Sequence, residues 1–207
     1  MTTPLDLRNH LVRLKQQVSR RTIVAIAGAP ASGKTTLARE LAESIPNTAC
    51  LSMDGYHLDN PLLQERNLLD KKGSPETFDL DGFSALIARL KEPQDIYCPI
   101  FDRKAERTIN SAHLISKTID MVIVEGNYLL LNEPSWANLR KQWDYSVFLE
   151  VDIQIIKQRL VERWLSFGYS RDEALKKAEM TDLPNAKRIL RNRLDADLVL
   201  AEDKSAL

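Results

Sequence analysis

The amino-acid sequence predicts an α/β fold in which about five parallel strands form one sheet with helices on both faces. Short, continuous apolar runs, which are typical of buried strands, alternate along the chain with segments whose apolar residues recur at helical spacing. The first apolar run leads straight into a glycine-containing loop, and that loop opens a helix. We therefore expect a three-layer α/β/α arrangement. The length of the chain favours a single domain over residues 1–207.

The predicted strands are short apolar runs that follow one another through the whole chain. They lie at 23–27, 49–53, 121–124, 145–149 and 198–200, and residues 96–101 are predicted to be extended. The run at 121–124 is the most strand-like because it contains only Met, Val and Ile.

The predicted helices rest on apolar spacing and on capping residues. Apolar residues 7, 11, 14 and 18 indicate an amphipathic helix over 4–20, in an N-terminal segment 1–20 that we expect to cover one sheet face. Asp81 is a plausible N-cap for a helix over 82–91, and Ser170 to Glu173 fit a capping box that opens a helix through about 180. Further helices are predicted directly after the glycine-containing loop and at 62–69, 136–142, 153–167 and 184–192.

The loop after the first strand is a complete G-x-x-x-x-G-K-[ST] phosphate-binding motif. Its glycines let the backbone wrap closely around a polyphosphate, and the positive end of the following helix dipole adds to the field. Lys34 can reach the β- and γ-phosphates, and the Thr35 hydroxyl can ligate Mg²⁺. We therefore predict a nucleoside triphosphate site formed by Gly28, Ala29, Pro30, Ala31, Ser32, Gly33, Lys34, Thr35 and Thr36.

Polar residues follow two further strands, at the sheet edge where ligands gather in open α/β folds. Asp54 is placed near the γ-phosphate, where a carboxylate can accept a proton from an attacking hydroxyl, although it could instead be a turn residue. Glu125 ends the 121–124 strand, where a group that organises Mg²⁺ belongs, although it could be a strand-end acid without a metal role. Residues near these strand ends are predicted to contact the substrate that carries the attacking hydroxyl group, which is the phosphoryl acceptor. They are Tyr56, His57, Arg103, Asn127 and Tyr128. For Arg103 a surface role is the alternative.

The segment 155–169 and the residues just after it carry several cationic side chains: Lys157, Arg159, Arg163 and Arg171. A mobile helix that supplies an arginine would stabilise the charge that phosphoryl transfer spreads, and would exclude water. Charges on a helix usually form a solvated face, so we expect one catalytic arginine here. We predict a lid-like helical region over about 155–181.

The composition argues against several classes of protein. Lys plus Arg and Asp plus Glu each number 29, and this balance favours neither nucleic acid nor a membrane as a partner. No apolar run approaches the ~18 residues of a membrane span, and the charged N-terminus lacks the apolar core of a signal peptide. Cys50 and Cys98 lack metal-ligand spacing, which favours free thiols in a reducing compartment. We predict a cytoplasmic protein.

With these motifs placed, the sequence resembles the P-loop kinases of the uridine kinase, phosphoribulokinase and bacterial pantothenate kinase group. The likeness runs from about Ile23 to the last predicted strand, and four segments are similar to segments of pantothenate kinases: 53–56, 72–79, 124–126 and 163–167. In length the chain looks more like the compact bacterial nucleoside/nucleotide kinase-like proteins, often labelled fructose transport system kinases. The resemblance implies a P-loop NTPase fold, ATP and Mg²⁺. It also implies transfer of the γ-phosphoryl group to an alcohol group of a small metabolite, such as a sugar, nucleoside or pantothenate-like compound.

The same resemblance implies roles for individual residues. Asp54 is the catalytic base, Thr35 and Glu125 organise Mg²⁺, and Arg163 is the lid arginine. Lys34 and Arg163 would neutralise the phosphoryl group in transfer. Kinases of this group are often dimers, so a homodimer is an expectation carried by the resemblance alone.

Two other classes of function stay open on the sequence. A GTP-dependent switch needs a guanine-reading Asn-Lys-x-Asp after a strand, but the nearest candidate, 192–195, has Arg for Lys and follows a helix. Residues 79–82 match D-x-x-G but do not follow the third buried strand. An NTPase that serves an assembly or a transporter would turn over without a small-molecule acceptor.

Overall fold

A five-stranded parallel sheet forms the centre of the computed structural model, which describes residues 3–202. Its strands are β1 (Thr22–Gly28), β2 (Thr48–Ser52), β5 (Met121–Gly126), β6 (Tyr145–Glu150) and β7 (Leu198–Ala201). Their order is β2-β5-β1-β6-β7, and all neighbours pair in parallel. Every residue of β1 and β5 is buried, as continuous apolar runs predict. The predicted parallel sheet is confirmed.

Helices connect the strands and cover the sheet. They are α1 (Pro4–Gln17), α2 (Lys34–Ser44), α3 (Asn60–Glu65), α4 (Leu80–Leu90), α5 (Ile153–Ser166), α6 (Arg171–Lys177) and α7 (Leu183–Arg191). Short 3-10 turns lie at Met53–Tyr56, Leu69–Lys71, Pro75–Thr77 and Ala137–Gln142, and a π-helical turn lies at Ala178–Asp182.

Side chains along β1 alternate between the two faces of the sheet. Val24 and Ile26 pack with Leu7 and Leu11 of α1 and with residues of α2. Ile23 and its alternate neighbours pack on the other face with α4 and α7. This distribution confirms the three-layer arrangement and the position of the N-terminal helix on one face.

An antiparallel hairpin lies outside the main sheet and joins β3 (Ile96–Asp102) to β4 (Arg107–Ile115). The extended segment at 96–101 is confirmed, but the sequence analysis missed β4. Most residues of β4 are exposed, so the strand lacks an apolar run. Pairing with β3, rather than a pattern of its own, holds it in place.

Several predicted helix limits need correction. Asp79, not Asp81, is the N-cap of α4, and its side chain accepts a hydrogen bond from Gly82 N. The predicted helix at 62–69 corresponds to the shorter α3, and residues 136–142 form a 3-10 helix. The capping box at Ser170 and the helix after Pro184 are confirmed.

The two cysteines are free thiols, as predicted. Burial raises the pKa of Cys50 to about 12 and that of Cys98 to about 11. Both thiols are therefore protonated and unreactive near neutral pH.

None of the helices between residues 3 and 202 combines the length and the apolar character that crossing a membrane requires.

Arg21, just before β1, ties together the amino-terminal edge of the sheet. Arg21 is only 3% exposed. Its guanidinium donates hydrogen bonds to the carbonyl oxygens of Leu90, Gln94, Ser116 and Ile119. These acceptors belong to the end of α4, the segment after it and the β4–β5 connection. One side chain therefore satisfies several carbonyl groups that would otherwise lack donors.

We predict that Arg21→Met lowers the free energy of unfolding by about 2–4 kcal/mol, because the carbonyl acceptors lose their donor in a buried site. Urea denaturation followed by circular dichroism measures the change. Arg13→Met, on the exposed side of α1, is the matched control and should change the value by less than about 0.5 kcal/mol. Equal unfolding midpoints for the two variants would contradict the role of Arg21.

Candidate active site

The loop between β1 and α2 has the geometry of a phosphate cradle. β1 ends at Gly28, and α2 begins at Lys34 with Gly33 as its N-cap at φ 88°. A Cβ atom on Gly28 would lie 2.6 Å from Ser32 Oγ and 3.2 Å from the carbonyl oxygen of Leu149 in β6, so a larger residue would displace the serine hydroxyl and crowd β6. The first N–H groups of a helix lack intrahelical acceptors, and the helix dipole is positive there. This arrangement favours an anion.

Lys34 is almost fully buried beneath the loop. The residue is 8% exposed, and its ammonium group donates to the carbonyl oxygen of Ala29 at 3.2 Å. Burial lowers the pKa of Lys34, while the charges of Glu125 and Asp54 oppose that shift. Ser32 Oγ is buried and has no hydrogen-bond partner among the described residues. A buried cation beside a buried hydroxyl without a partner fits a phosphate group.

The rest of the predicted nucleotide site lies on the same loop and helix. Ala29 and Pro30 are buried, Ala31 has φ 61°, Thr35 is half-buried and Thr36 is exposed in the first turn of α2.

β2 and β5 carry carboxylates to the same edge of the sheet. Glu125 lies near the end of β5, in register with Ile26 of β1 and Ser52 of β2. The residue is 3% exposed, so its carboxylate is held in the interior. Asp54 follows β2 in a 3-10 turn whose N-cap is Ser52. The fold thus brings the predicted base and a predicted metal residue near the phosphate loop.

Asp54 is engaged by the hairpin between β3 and β4. Its Oδ2 accepts a hydrogen bond from Arg103 Nη2 at 2.6 Å. The two residues are 49 positions apart in the chain. The sequence analysis predicted both as site residues, and the structure brings them into direct contact.

Gly55 allows the Asp54 turn and the hairpin to approach each other. A Cβ atom at Gly55 would lie 2.5 Å from the carbonyl oxygen of Pro99, so a larger residue would push the hairpin away. The glycine therefore sets the distance between Asp54 and the elements that carry Arg103.

Aromatic rings line the segment beyond Asp54. The His57 ring packs on Phe78 and Phe101, with centroids 4.1 and 4.6 Å away, and its Nδ1 donates to the Asp54 carbonyl. Burial lowers the pKa of His57, so the ring is neutral near pH 7. The half-buried Tyr56 stacks near Phe83, and burial raises the pKa of Tyr56 to about 12.

The two predicted substrate residues after β5 have different positions. Asn127 is half-buried directly after the strand. Tyr128 is 0% exposed, its ring packs against Phe78 and Trp136, and its hydroxyl donates to the carbonyl oxygen of Gly73. The prediction that Tyr128 contacts substrate therefore needs correction, because its side chain is enclosed in the core and supports the 73–77 segment.

The lid-like region over about 155–181 consists of α5, α6 and part of the π-helical turn. Burial lowers the pKa of Arg163, the nearby charge of Arg103 lowers it further, and Asp182 and Asp54 oppose the shift. The other three cations that the sequence singled out have different surroundings: Lys157 pairs with Glu179, Arg159 pairs with Glu202, and Arg171 is exposed at the start of α6. Arg163 thus lies close enough to Asp54 for the two charges to interact.

Two residues that support this arrangement were not predicted from the sequence. Asp182, in the π-helical turn, accepts a hydrogen bond from Trp164 Nε1 at 2.7 Å, and burial raises its pKa. No local pattern marks it, since its partner lies in another helix. Lys72 donates to the side chain of Asn60 and to the carbonyl oxygen of Glu106 in the hairpin turn. The 72–79 segment, one of those that carried the resemblance, was the signal that could have identified Lys72.

Comparisons with known proteins agree with this geometry. The model of the Phosphoribulokinase / Uridine kinase family matches residues 23–203. "Uncharacterized protein YggC" of Escherichia coli (strain K12) is 34% identical over 199 residues, which cover 92% of this chain and 83% of that protein. "Pantothenate kinase" of Psychromonas ingrahamii is 30% identical over 77% of this chain, which spans 55% of that protein.

A solved structure shares the whole architecture. The "putative fructose transport system kinase" from Silicibacter sp. TM1040 is 40% identical, with a TM-score of 0.92 over 97% of this chain and 100% of that chain.

The family match covers most of the chain, a span that includes the phosphate loop, Asp54, Glu125 and Arg163. The chain therefore belongs to the phosphoribulokinase / uridine kinase family of P-loop kinases, which phosphorylate hydroxyl groups of small metabolites.

Proposed function

We propose that this chain transfers the γ-phosphoryl group of Mg–ATP to an alcohol group of a small metabolite. The observation that carries the proposal is the convergence of Lys34, Glu125 and Asp54 at the carboxyl edge of the sheet. Phosphoryl transfer asks the protein mainly for positioning and charge stabilisation. A cation for the phosphates, a carboxylate for the metal ion and a base for the hydroxyl meet these needs.

The nucleotide's phosphates occupy the loop over 28–36 in this proposal. Backbone N–H groups at the start of α2 and the Lys34 ammonium bind the phosphates, and Ser32 Oγ gains the partner that it lacks among the described residues. Binding therefore compensates the buried charge of Lys34.

Thr35 and Glu125 would hold Mg²⁺. When bound there, the ion would supply positive charge that neutralises the phosphates. Within residues 3–202, no group of three or more His, Cys, Asp and Glu side chains could hold a metal ion by itself. One hydroxyl from Thr35 and one carboxylate from Glu125 fit Mg²⁺, which usually keeps several waters and binds one or two carboxylates together with substrate phosphates.

Asp54 acts as the general base. Its carboxylate takes the proton of the acceptor hydroxyl while the hydroxyl oxygen bonds to the γ-phosphorus and the bond to ADP breaks. Arg163 and Lys34 neutralise the charge on the phosphoryl group during transfer. The region over about 155–181 acts as a lid that excludes water, since hydrolysis would compete with transfer.

The acceptor binds between the Asp54 turn and the hairpin. Tyr56, His57, Asn127 and Arg103 surround this space in the proposal. The neutral His57 ring, held by Phe78 and Phe101, offers its Nε2 as a hydrogen-bond acceptor for a second hydroxyl group.

The test is ADP release by the purified protein with Mg–ATP across a panel of acceptors: pantothenate, uridine, cytidine, fructose, ribulose 5-phosphate and glycerate. Strong stimulation by one compound supports the proposal. ADP release that ignores every acceptor but rises with a protein partner would support an NTPase that serves an assembly.

We predict that Asp54→Asn lowers kcat by about 10²- to 10⁴-fold, because the amide cannot accept the hydroxyl proton. The dissociation constant for ATP, measured by titration calorimetry, should change by less than about threefold, because the phosphates bind elsewhere. Asp70→Asn, on the exposed 3-10 turn after α3, is the control and should leave kcat unchanged. Equal losses of ATP binding and turnover in Asp54→Asn would count against its role as the base.

We predict that Glu125→Gln raises the Mg²⁺ concentration for half-maximal activity by about tenfold or more, because a neutral amide holds the ion less tightly. The measurement is initial rate against free Mg²⁺ at saturating ATP. Glu65→Gln, at the exposed end of α3, should give the wild-type curve. A wild-type Mg²⁺ curve for Glu125→Gln would remove Glu125 from the metal site.

A further inference from the structure

The ion pair between Arg103 and Asp54 occupies the group that the reaction needs. Arg103 Nη2 lies 2.6 Å from Asp54 Oδ2. The guanidinium occupies the Oδ2 atom of the carboxylate and lies on the side of Asp54 that faces the hairpin, where the proposed function places the acceptor. An acceptor hydroxyl that approaches Asp54 from this side therefore competes with Arg103 for the carboxylate.

The hairpin turn holds the Arg103 backbone while its side chain can rotate. The Asp102 carboxylate accepts hydrogen bonds from the N–H groups of Lys104 and Ala105 at 2.8 and 3.1 Å. Lys72 Nζ donates to the carbonyl oxygen of Glu106 at 2.8 Å, which attaches the turn to the body of the protein. The Arg103 side chain is 51% exposed. It can change partner without unfolding the turn.

Arg103 is a third cation near Asp54, and the proposed function already gives roles to the other two, Lys34 and Arg163. Its positive charge acts on Lys34 and on Arg163, the residues that the proposed function gives to the phosphates. It also acts on His57, which borders the acceptor space. A guanidinium that leaves Asp54 in this position needs a new anion, because moving toward Lys34 or Arg163 brings like charges together.

The acceptor itself is the nearest source of such an anion. An exposed ion pair is weak, since water solvates both charges, so a ligand anion can displace the Asp54 carboxylate from the guanidinium. The planar fork of arginine suits carboxylate and phosphate groups, to which it can donate two parallel hydrogen bonds. A neutral acceptor offers no such replacement and leaves Asp54 paired.

We propose that Arg103 binds an anionic group, a carboxylate or a phosphate, on the alcohol that is phosphorylated, and that this exchange of partners frees Asp54 to act as the base. The proposal rests on the proposed function, because it takes Asp54 to be the base. It assigns the substrate class as hydroxy acids or phosphorylated alcohols, and it makes Arg103 a specificity-determining residue.

Matched acceptors that differ in one anionic group test the proposal. The pairs are pantothenate with pantothenyl alcohol, glycerate with glycerol, and fructose 6-phosphate with fructose. Steady-state kcat and KM are measured for each compound in the wild-type protein, in Arg103→Gln, in Arg103→Lys and in Arg107→Gln. Arg107 is an exposed residue of the same hairpin and serves as the control.

In the wild type we expect the anionic member of at least one pair to be a better substrate than its neutral partner. The pantothenate and glycerate pairs test a carboxylate, and the fructose 6-phosphate pair tests a phosphate. Arg103→Gln should lower kcat/KM for that anionic compound by about 10- to 100-fold, mainly through KM. It should raise kcat for the neutral partner, because Asp54 is no longer paired with a guanidinium. Arg103→Lys should restore part of the loss, because it keeps the charge without the fork. Arg107→Gln should match the wild type.

Two results would overturn the inference. If neutral members are the better substrates, the acceptor carries no anion for Arg103. If Arg103→Gln lowers kcat equally for both members of a pair, the guanidinium acts on the transferring phosphoryl group. In both cases the protein still phosphorylates an alcohol, so the proposed function survives.

Equilibrium binding separates the two proposals when turnover is absent. The same pairs are titrated into wild-type protein and Arg103→Gln with Mg²⁺ and a non-hydrolysable ATP analogue. Binding of an anionic member that is lost in Arg103→Gln supports the anion site even if no phosphate is transferred, which would count against the proposed function alone. Equal binding of both members by both proteins would overturn the anion site.

Discussion

The burial of the Lys34 ammonium group is the constraint on which the rest of the site depends. A buried charge is costly unless neighbouring groups compensate it. Here the carbonyl oxygen of Ala29 accepts its hydrogen bond, and the carboxylates of Glu125 and Asp54 supply opposite charge. These carboxylates can reach Lys34 because β1, β5 and β2 are adjacent and parallel, so that their carboxyl ends meet. The groups that compensate the buried cation are also those that the proposed reaction uses.

The β3–β4 hairpin and the lid-like region over about 155–181 lie beside this edge of the sheet, and each of them packs closely against it. The hairpin approaches the Asp54 turn through the contact between Gly55 and Pro99, where a side chain would not fit. The lid-like region packs against the phosphate loop, since Ala29 belongs to the same apolar cluster as Ile156 of α5 and Leu183 of α7. Arg103 lies on the hairpin, whereas Arg163 lies on α5 in the region over about 155–181.

Local patterns predicted the features that depend on neighbouring residues. The phosphate loop was identifiable because a polyphosphate requires glycines, a lysine and a hydroxyl at fixed spacing. Continuous apolar runs identified β1 and β5, and the capping box at Ser170 identified the start of α6, since both signals lie within a few residues. β4 was missed because its stability comes from pairing with β3, and Tyr128 was misassigned because a strand-end tyrosine has the same local sequence whether it faces a ligand or the core.

The sequence by itself determined the alternation of main-sheet strands with helices, the phosphate loop and the identity of the residues at the strand ends, because each depends on short-range geometry. Only the tertiary structure decided which of these residues meet. The Arg103–Asp54 pair and the Trp164–Asp182 hydrogen bond join distant segments, and so does the interaction of the Arg163 charge with those of Asp54 and Asp182. Such contacts depend on how the hairpin and the lid pack against the sheet, and no periodicity or spacing along the chain encodes that packing.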